Sequence, residues 1–187
     1  MRIISGEARG RTLFAPAGDQ TRPTSDKLRG SLFNILNGCV ESAEVLDLFG
    51  GTGALALEAL SRGAARAVIV DSSRAAIEAI RRNAGNVLKD ELDQRALILK
   101  MDYRSAISGM SGRSFDLVFL DPPYRMTDSY GDAIGRLDRA GAIAEDAVIV
   151  CERRHDAAIH LPEGFEVYDS RSYGETAIDF VRRRHET

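Results

Sequence analysis

The chain has 187 residues, of which 44% are hydrophobic and 28% are charged, a composition typical of one globular domain with a sizeable core. No apolar run is long enough to cross a bilayer, and no apolar stretch near the start has the pattern of a secretory signal. The two cysteines, Cys39 and Cys151, lack metal-binding spacing. We therefore expect reduced thiols in a cytoplasmic protein without a metal site.

The net charge of −3 hides an uneven distribution of charged side chains along the chain. Residues 1–36 carry six basic and three acidic side chains, so the remaining residues carry a net charge of −6. A basic segment on an acidic body is the pattern expected of a local contact with nucleic-acid phosphate. A solvated terminal segment would have the same composition, and charge alone leaves both interpretations open.

The first predicted elements are small. Residues 2–6 and 12–14 indicate a short β-hairpin, which a loop containing proline and glycine follows. Ser25 or Asp26 then caps a predicted helix whose apolar stripe ends at Leu36.

From about residue 44 onward, apolar runs alternate with amphipathic ones. The predicted strands are residues 44–49, 67–70, 96–99, 115–120 and 147–151. One predicted helix runs from Ala54 to Arg62 with Gly63 as its stop, and another starts after Ser72 or Ser73 and ends near Asn83. Strands separated by helices in this way favour a parallel sheet with helices on both faces.

Residues 165–170 and 176–181 lack a helical pattern and predict an antiparallel pair of strands at one edge of that sheet. The prediction is thus an α/β, Rossmann-like fold with a mostly parallel seven-stranded sheet. We expect a single domain, in which residues 1–24 form a basic N-terminal extension and residues 25–187 form the core.

A glycine-rich loop follows the first strand of the predicted core. Open α/β sheets bind ligands at the carboxyl ends of their strands, and glycines there let the backbone approach the ligand closely. The start of the next helix also offers free N–H groups. The predicted cofactor loop comprises Asp47, Phe49, Gly50, Gly51, Thr52 and Gly53.

Two classes of cofactor compete for this loop. A P-loop is excluded because no GK[ST] sequence is present, but Gly51–Ala56 fits the relaxed dinucleotide fingerprint. Asp47 would repel a pyrophosphate and suits a cationic amino group instead. Asp71 could hold ribose hydroxyls and Asp102 the adenine amine, although strand-end aspartates also cap helices. Acids at successive strand ends favour S-adenosylmethionine over NAD, and Ser72 and Tyr103 complete the predicted site.

The sequence Asp121-Pro122-Pro123-Tyr124 follows the fourth predicted strand of the core. Prolines stiffen this turn, which by itself could be purely structural. Next to the glycine loop, however, the turn has a chemical use. The Asp121 carboxylate and the Pro122 carbonyl can accept hydrogen bonds from one –NH2 group and aim its lone pair at a methyl donor. Tyr124 would stack on a target base that is flipped out of its helix.

These motifs give the chain a resemblance to the RsmD-type methyltransferases along nearly its whole length. Besides the glycine loop and the DPPY sequence, the resemblance rests on RIISG at residues 2–6, RGR at 9–11, RPT with Asp26 and Lys27 at 22–27, LFN at 32–34, LEALSRG at 57–63 and YG with Thr176 at 173–176. One departure is Gly30, where many relatives have glutamate. Glycine there costs about 1 kcal/mol of helix propensity and leaves any role of that glutamate unfilled.

The resemblance implies a class I methyltransferase that makes N2-methylguanine in 16S ribosomal RNA. It implies that Arg22 and Thr24 border the cofactor and target-base pocket, and that Arg9 and Arg11, together with Lys27, contact RNA. The implied partner is 16S rRNA in a small-subunit assembly particle, with no membrane or metal, and a monomer is the expected state.

Two other functions remain open from the sequence. An adenine-N6 or protein-glutamine methyltransferase would use the same chemistry, but such enzymes more often have asparagine in the place of Asp121. A DNA enzyme would usually need a further target-recognition domain, for which 187 residues leave no room. A non-catalytic binding protein of the same fold should have lost one of the two motifs, and both are intact.

Overall fold

The computed structural model describes residues 1–16 and 25–187. Six helices are described: α1 Asp26–Ile35, α2 Ala54–Ser61, α3 Arg74–Leu88, α4 Leu92–Arg95, α5 Tyr103–Ser108 and α6 Ser129–Arg139. Seven strands accompany them: β1 Glu44–Asp47, β2 Arg66–Asp71, β3 Ala96–Lys100, β4 Phe115–Leu120, β5 Ile143–Arg154, β6 Phe165–Tyr173 and β7 Thr176–Arg183. None of these helices is long and apolar enough to cross a membrane.

All seven strands form one sheet in the order β3-β2-β1-β4-β5-β7-β6. The first five strands in this order are parallel, and β7 is antiparallel to both β5 and β6. The predicted α/β fold with an antiparallel edge is therefore confirmed. The structure adds that β7, rather than β6, pairs with β5.

Both faces of the sheet are covered, because alternate side chains of a strand point to opposite faces. On β1, Val45 packs into the cluster that contains α1, α2 and α3, whereas Leu46 packs into the cluster that contains α5 and α6. Each of these two side chains is fully buried. The nearly continuous apolar strands follow from this double burial.

The N-terminal segment packs on the core, although it forms a single antiparallel bridge between Arg2 and Thr12 rather than two full strands. Ile3 is fully buried, and Glu58 of α2 accepts hydrogen bonds from the backbone N–H groups of the next two residues, at 2.9 and 3.1 Å. Gly6 has a φ of +89°, and a Cβ there would lie 1.8 Å from the Ser61 carbonyl oxygen. Only glycine permits this close approach.

Helix α1 begins where the sequence predicts, since the Ser25 hydroxyl accepts a hydrogen bond from the Leu28 N–H at 3.1 Å. Arg29 of α1 is fully buried and lies 3.7 Å from the equally buried Glu58 carboxylate. The next residue, Gly30, faces the N-terminal segment, and a Cβ there would lie 3.8 Å from Ile4 Cγ2, an ordinary van der Waals distance.

Two predicted elements, a helix and a strand, were shorter than the observed ones. Helix α3 ends at Leu88 instead of near Asn83, because the Asn83 amide points into the core, where it finds backbone partners. Strand β5 runs from Ile143 to Arg154, since β7 pairs with its polar final residues as well as with its apolar centre.

Candidate active site

The strand-end aspartates of the sequence all lie on one edge of the sheet, at the carboxyl ends of the parallel strands. β1 leads to Asp47, β2 to Asp71, β3 to Asp102 and β4 to Asp121. The strand order reverses between β1 and β4, which is where open α/β sheets form their ligand crevice. Asp47 and Asp121 therefore flank that crevice.

The glycine loop between β1 and α2 needs its glycines for two reasons, a positive φ and close packing. Gly51 and Gly53 have φ values of +60° and +83°, which other residues rarely adopt. A Cβ at Gly50 would lie 2.6 Å from Ile69 Cγ2, so this glycine permits close packing on β2. The loop positions the N-terminus of α2 at the carboxyl edge of the sheet, with Thr52 half-buried beside it.

Asp47 is almost completely buried, with 1% of its surface exposed. Its pKa is raised to about 7, mainly by burial and to a smaller extent by the charges of Asp71 and Glu152. The hydrogen bond from the Phe49 N–H acts in the other direction and lowers the pKa. That N–H lies 3.2 Å from the Asp47 carboxylate. A buried carboxyl group with this environment would be stabilised as an anion by a cationic ligand.

The other two strand-end aspartates make local hydrogen bonds. Asp71 accepts from the Gly51 and Ser73 N–H groups, both at 2.9 Å, while Ser72 is exposed. Asp102 caps α5, and its bonds from the Ser105 hydroxyl and backbone lower its pKa. Asp71 and Asp102 thus have the local, helix-capping role that strand-end aspartates often have. A carboxylate has about four lone-pair sites, so each can still accept hydrogen bonds from a ligand.

Two aromatic rings stand beside the crevice. The Phe49 and Tyr103 ring centroids lie 5.4 Å apart at an angle of 45°. Tyr103 is largely buried, and its hydroxyl donates to Asp132 of α6 at 2.6 Å, so its ring orientation is fixed. Phe49 is half-buried and presents apolar surface next to the glycine loop.

The DPPY turn extends from the end of β4. Asp121 is half-buried, Pro122 is buried, and Pro123 is exposed, with its carbonyl accepting a hydrogen bond from the Met126 N–H at 2.8 Å. Tyr124 is 54% exposed, which leaves ring surface open to stacking. The Arg154 guanidinium carbon lies 5.9 Å from the centre of that ring.

Sequence analysis missed Glu152, which lies beside Asp121 because β4 and β5 pair Leu120 with Cys151. Burial and the charges of Glu152 and Asp47 raise the pKa of Asp121 well above its ordinary value. The signal was present in the sequence, because Glu152 directly follows the apolar run 147–151 as the other acids follow theirs.

Asn83 is a second residue that sequence analysis missed. Its side chain is buried, donates to the carbonyl oxygens of Phe14 and Thr52 at 2.9 and 2.8 Å, and accepts from the Phe14 N–H at 2.7 Å. It therefore ties the N-terminal segment to the glycine loop. An asparagine within a helical pattern carries no sequence signal of this role.

Two of the residues expected to contact RNA, Arg9 and Arg11, lie away from the crevice. Arg9 is exposed in a turn whose neighbour Glu7 binds Ser61, at the C-terminal end of α2. Arg11 donates to the Val87 carbonyl at 2.5 Å, near the C-terminal end of α3. Both helices start at the carboxyl edge, so these arginines lie toward the opposite edge of the sheet. Lys27 is exposed on α1, and Arg22 and Thr24 lie outside the described residues.

The charges at the crevice discriminate between the two cofactors considered. Asp47, Asp71, Asp121 and Glu152 lie there, and the pKa values of Asp47 and Asp121 are raised first by burial and then by the charges of other carboxylates in this group. A pyrophosphate would add negative charge to this cluster, whereas the sulfonium and ammonium groups of S-adenosylmethionine would neutralise it. These residues therefore fit S-adenosylmethionine. Residues 1–16 and 25–187 contain no group of three or more His, Cys, Asp or Glu side chains that could hold a metal ion.

Comparison with known proteins identifies the family. A family model described as conserved hypothetical protein 95 matches residues 1–182. The chain belongs to this family, the RsmD-type methyltransferases. It is 32% identical to the ribosomal RNA small subunit methyltransferase D of Escherichia coli K12, over 98% of this chain and 90% of that protein.

Other similar proteins agree with membership of the RsmD-type family. YlbH of Bacillus subtilis, named as a candidate rRNA methyltransferase, is 35% identical over 98% of this chain and all of that protein. The solved structure of yhhF from Escherichia coli, described as a candidate methyltransferase, superposes with a TM-score of 0.84. That structure is 30% identical and covers 98% of this chain and 97% of its own. The fold is that of the class I methyltransferases.

Proposed function

We propose that this methyltransferase transfers a methyl group from S-adenosylmethionine to the exocyclic N2 amine of a guanine in 16S rRNA of the small ribosomal subunit. The observation that carries the chemistry is the position of Asp121 across the crevice from Asp47, with the exposed Tyr124 beside it. The substrate is supported by the relative named ribosomal RNA small subunit methyltransferase D. The choice of guanine N2 rests on the family resemblance.

Each side chain has a separate task in this proposal. The Asp121 and Pro122 oxygens accept the two hydrogens of the target amine and so orient its lone pair. Tyr124 holds the flipped base by stacking, which is worth about 1–3 kcal/mol per base. Asp47 and the glycine loop orient the cofactor, and Phe49 and Tyr103 shield it from water. When bound, S-adenosylmethionine supplies a methyl carbon already activated for attack.

The cofactor site as proposed extends from the glycine loop to the neighbouring strand ends. Asp71 and Ser72 would face the ribose, and Asp102 and Tyr103 would face the adenine. Arg22 and Thr24 would border the target base, as the family resemblance implies. This part of the proposal is tested by cofactor titration of the Asp71→Asn and Asp102→Asn variants, each of which should weaken binding without unfolding the protein.

The RNA contacts proposed for the basic N-terminal segment require an extended substrate. Helix α3 is about 22 Å long, so RNA that contacts both Arg9 and the DPPY turn must pass along the side of the molecule. Arg82 lies closer to the glycine loop, with its guanidinium carbon 4.1 Å from the Phe14 ring centre and its neighbour Asn83 bound to Thr52. We propose Arg82 as a further phosphate contact along that path.

The catalytic proposal is tested with Asp121→Ala. The variant should bind the cofactor with an affinity close to wild type and transfer no detectable methyl group to rRNA, because the amine is no longer oriented. Isothermal titration gives the first quantity and radiolabel transfer the second. Near wild-type transfer by this variant would refute the mechanism.

The substrate is tested by mass spectrometry of 16S rRNA nucleosides from cells that lack the protein. Loss of N2-methylguanine at one site supports the proposal, and loss of N6-methyladenine instead supports the adenine alternative. For the RNA path, Arg9→Ala and Arg82→Ala should each reduce the slope of log affinity against log salt by about one. The matched control is Arg139→Ala, an exposed arginine at the end of α6, which covers the face of the sheet opposite to that of α3.

A further inference from the structure

Glu152 and Asp121 lie side by side because of the register between β4 and β5. These strands pair Leu120 with Cys151, so the residue that follows each of them reaches the same level at the carboxyl edge. Their carboxyl groups are therefore neighbours, and the charge of Glu152 raises the pKa of Asp121. Neighbouring carboxyl groups can form a hydrogen bond with each other only if a proton lies between them, because two carboxylates have no donor.

The surroundings of this pair favour one shared proton. Asp47 of β1 adds a negative charge from the other side of the crevice. Tyr130 of α6 is 5% exposed, and its hydroxyl donates to the Glu152 backbone carbonyl at 2.5 Å, which fixes that part of β5. On β7 the residue opposite Glu152 is the apolar Ile178.

The nearest basic group on β5 is engaged elsewhere. Arg153 donates to Asp179 at 2.6 Å, and Asp179 also accepts a bond from the Ser170 hydroxyl at 2.6 Å. The positive charge of Arg153 is therefore balanced by the Asp179 carboxylate on the neighbouring strand β7. The buried thiol of Cys151 lies on the same strand, and burial keeps it protonated by raising its pKa.

We propose that Glu152 is a positioning residue that binds the Asp121 carboxyl group through a shared proton and receives, through Asp121, the proton that the amine loses on methylation. The inference rests on the proposed function and extends it to the fate of that proton. With its own proton directed toward Glu152, Asp121 presents a neutral carbonyl oxygen to the substrate. This is what the asparagine amide presents in related amino-methyltransferases.

Protons and electrons balance in the proposed step. The substrate nitrogen uses its lone pair to bond to the methyl carbon, and the carbon–sulfur bond breaks with its electron pair left on sulfur. The nitrogen then carries one proton in excess, which passes to the free oxygen of Asp121 as the Asp121 O–H proton passes to Glu152. The pair changes from a net charge of −1 to neutral and later releases one proton to water.

The test uses Glu152→Gln, which keeps a hydrogen-bond donor toward Asp121 but cannot accept the proton. We expect kcat to fall by about 10²-fold, a typical contribution of acid–base catalysis, and the KM values for cofactor and RNA to stay within about twofold. The acid limb of the kcat–pH profile should move to lower pH, since Asp121 loses a neighbouring negative charge. Glu145→Gln, an exposed change on the same strand, should alter none of these quantities.

A second measurement needs neither substrate nor cofactor. Infrared spectra of the free protein near neutral pH, recorded in an Asp47→Asn background so that Asp47 contributes no signal, should contain a protonated-carboxyl band that Glu152→Gln removes and Glu145→Gln leaves. A purely structural role predicts a lower melting temperature and raised KM values without a shifted acid limb, and that pattern would overturn the inference. A kcat within twofold of wild type would overturn it as well. If wild-type protein itself methylates no rRNA, the proposed function fails instead, and the infrared result still decides whether the proton is shared.

Discussion

Asp47 should make the stability of the protein depend on pH in an unusual direction. The ordinary pKa of 3.8 applies in the unfolded chain, whereas burial raises it to about 7 in the folded protein. Between these values the folded state holds the proton more tightly, so stability falls as the pH rises from about 4 through about 7. The difference of about three pKa units, at about 1.4 kcal/mol each, amounts to a loss of about 4 kcal/mol when the group is fully ionised.

Replacing Asp47 with Asn removes this titration while preserving the size of the side chain. Urea unfolding of both proteins at about pH 5, 6, 7 and 8 gives the free energy of unfolding. The difference between variant and wild type in this free energy should shift by about 3 kcal/mol in favour of the variant from about pH 5 to about pH 8. Asp146→Asn, on the exposed part of β5, serves as the control and should produce no pH-dependent gap. A gap between wild type and Asp47→Asn that stays constant with pH would show that Asp47 is not a buried acid of this kind.

The variant should also bind S-adenosylmethionine at least about tenfold more weakly, a loss of about 1.4 kcal/mol, because it lacks the negative charge that would stabilise the cofactor's amino group. In wild type the affinity should rise with pH between about 6 and 8, as Asp47 ionises, and in the variant this rise should be absent. Calorimetric titration at each pH measures both. Equal pH dependence in the two proteins would assign the cation site to another residue.

Two further changes test the packing around the site. Asn83→Ala should lower the free energy of unfolding by about 3 kcal/mol, because it removes a buried amide that forms three partly buried hydrogen bonds with backbone groups of Phe14 and Thr52. Asn86→Ala, which removes one exposed bond from the same helix, should cost less than about 1 kcal/mol, and equal losses would contradict this assignment. Gly30→Ala should raise stability by about 1 kcal/mol, since its Cβ has room beside Ile4, and a lowered melting temperature would show that the site is tighter than the structure indicates.

The core of the fold was predictable because its strands are buried on both faces and therefore stand out as apolar runs. Prediction was weaker where polar residues form regular structure. Strand β5 continues past its apolar centre to Arg154 because β7 supplies hydrogen-bond partners, and such pairing cannot be derived from β5 alone. The same applies to α3, whose buried Asn83 resembles a helix end in the sequence but has its partners in two distant segments.

The candidate site was predictable where a residue belongs to a motif. Asp47, the glycines and the DPPY turn were placed on the correct edge because they follow parallel strands. The adjacency of Asp121 and Glu152 depends on the register of β4 and β5, which the sequence does not display. Likewise, the distance of Arg9 and Arg11 from the crevice follows from the contacts of their turn with the ends of α2 and α3.

The position of β7 between β5 and β6 has a consequence for how the chain folds during translation. Until residues 176–183 have left the ribosomal tunnel, β5, the strand that carries Glu152, has an open edge of unpaired N–H and C=O groups. Such an edge is a site for pairing with other chains, and contacts that wait for a distant segment slow folding. A nascent chain that stalls before Thr176 would therefore have both motifs synthesised and still be a target for chaperones or proteases.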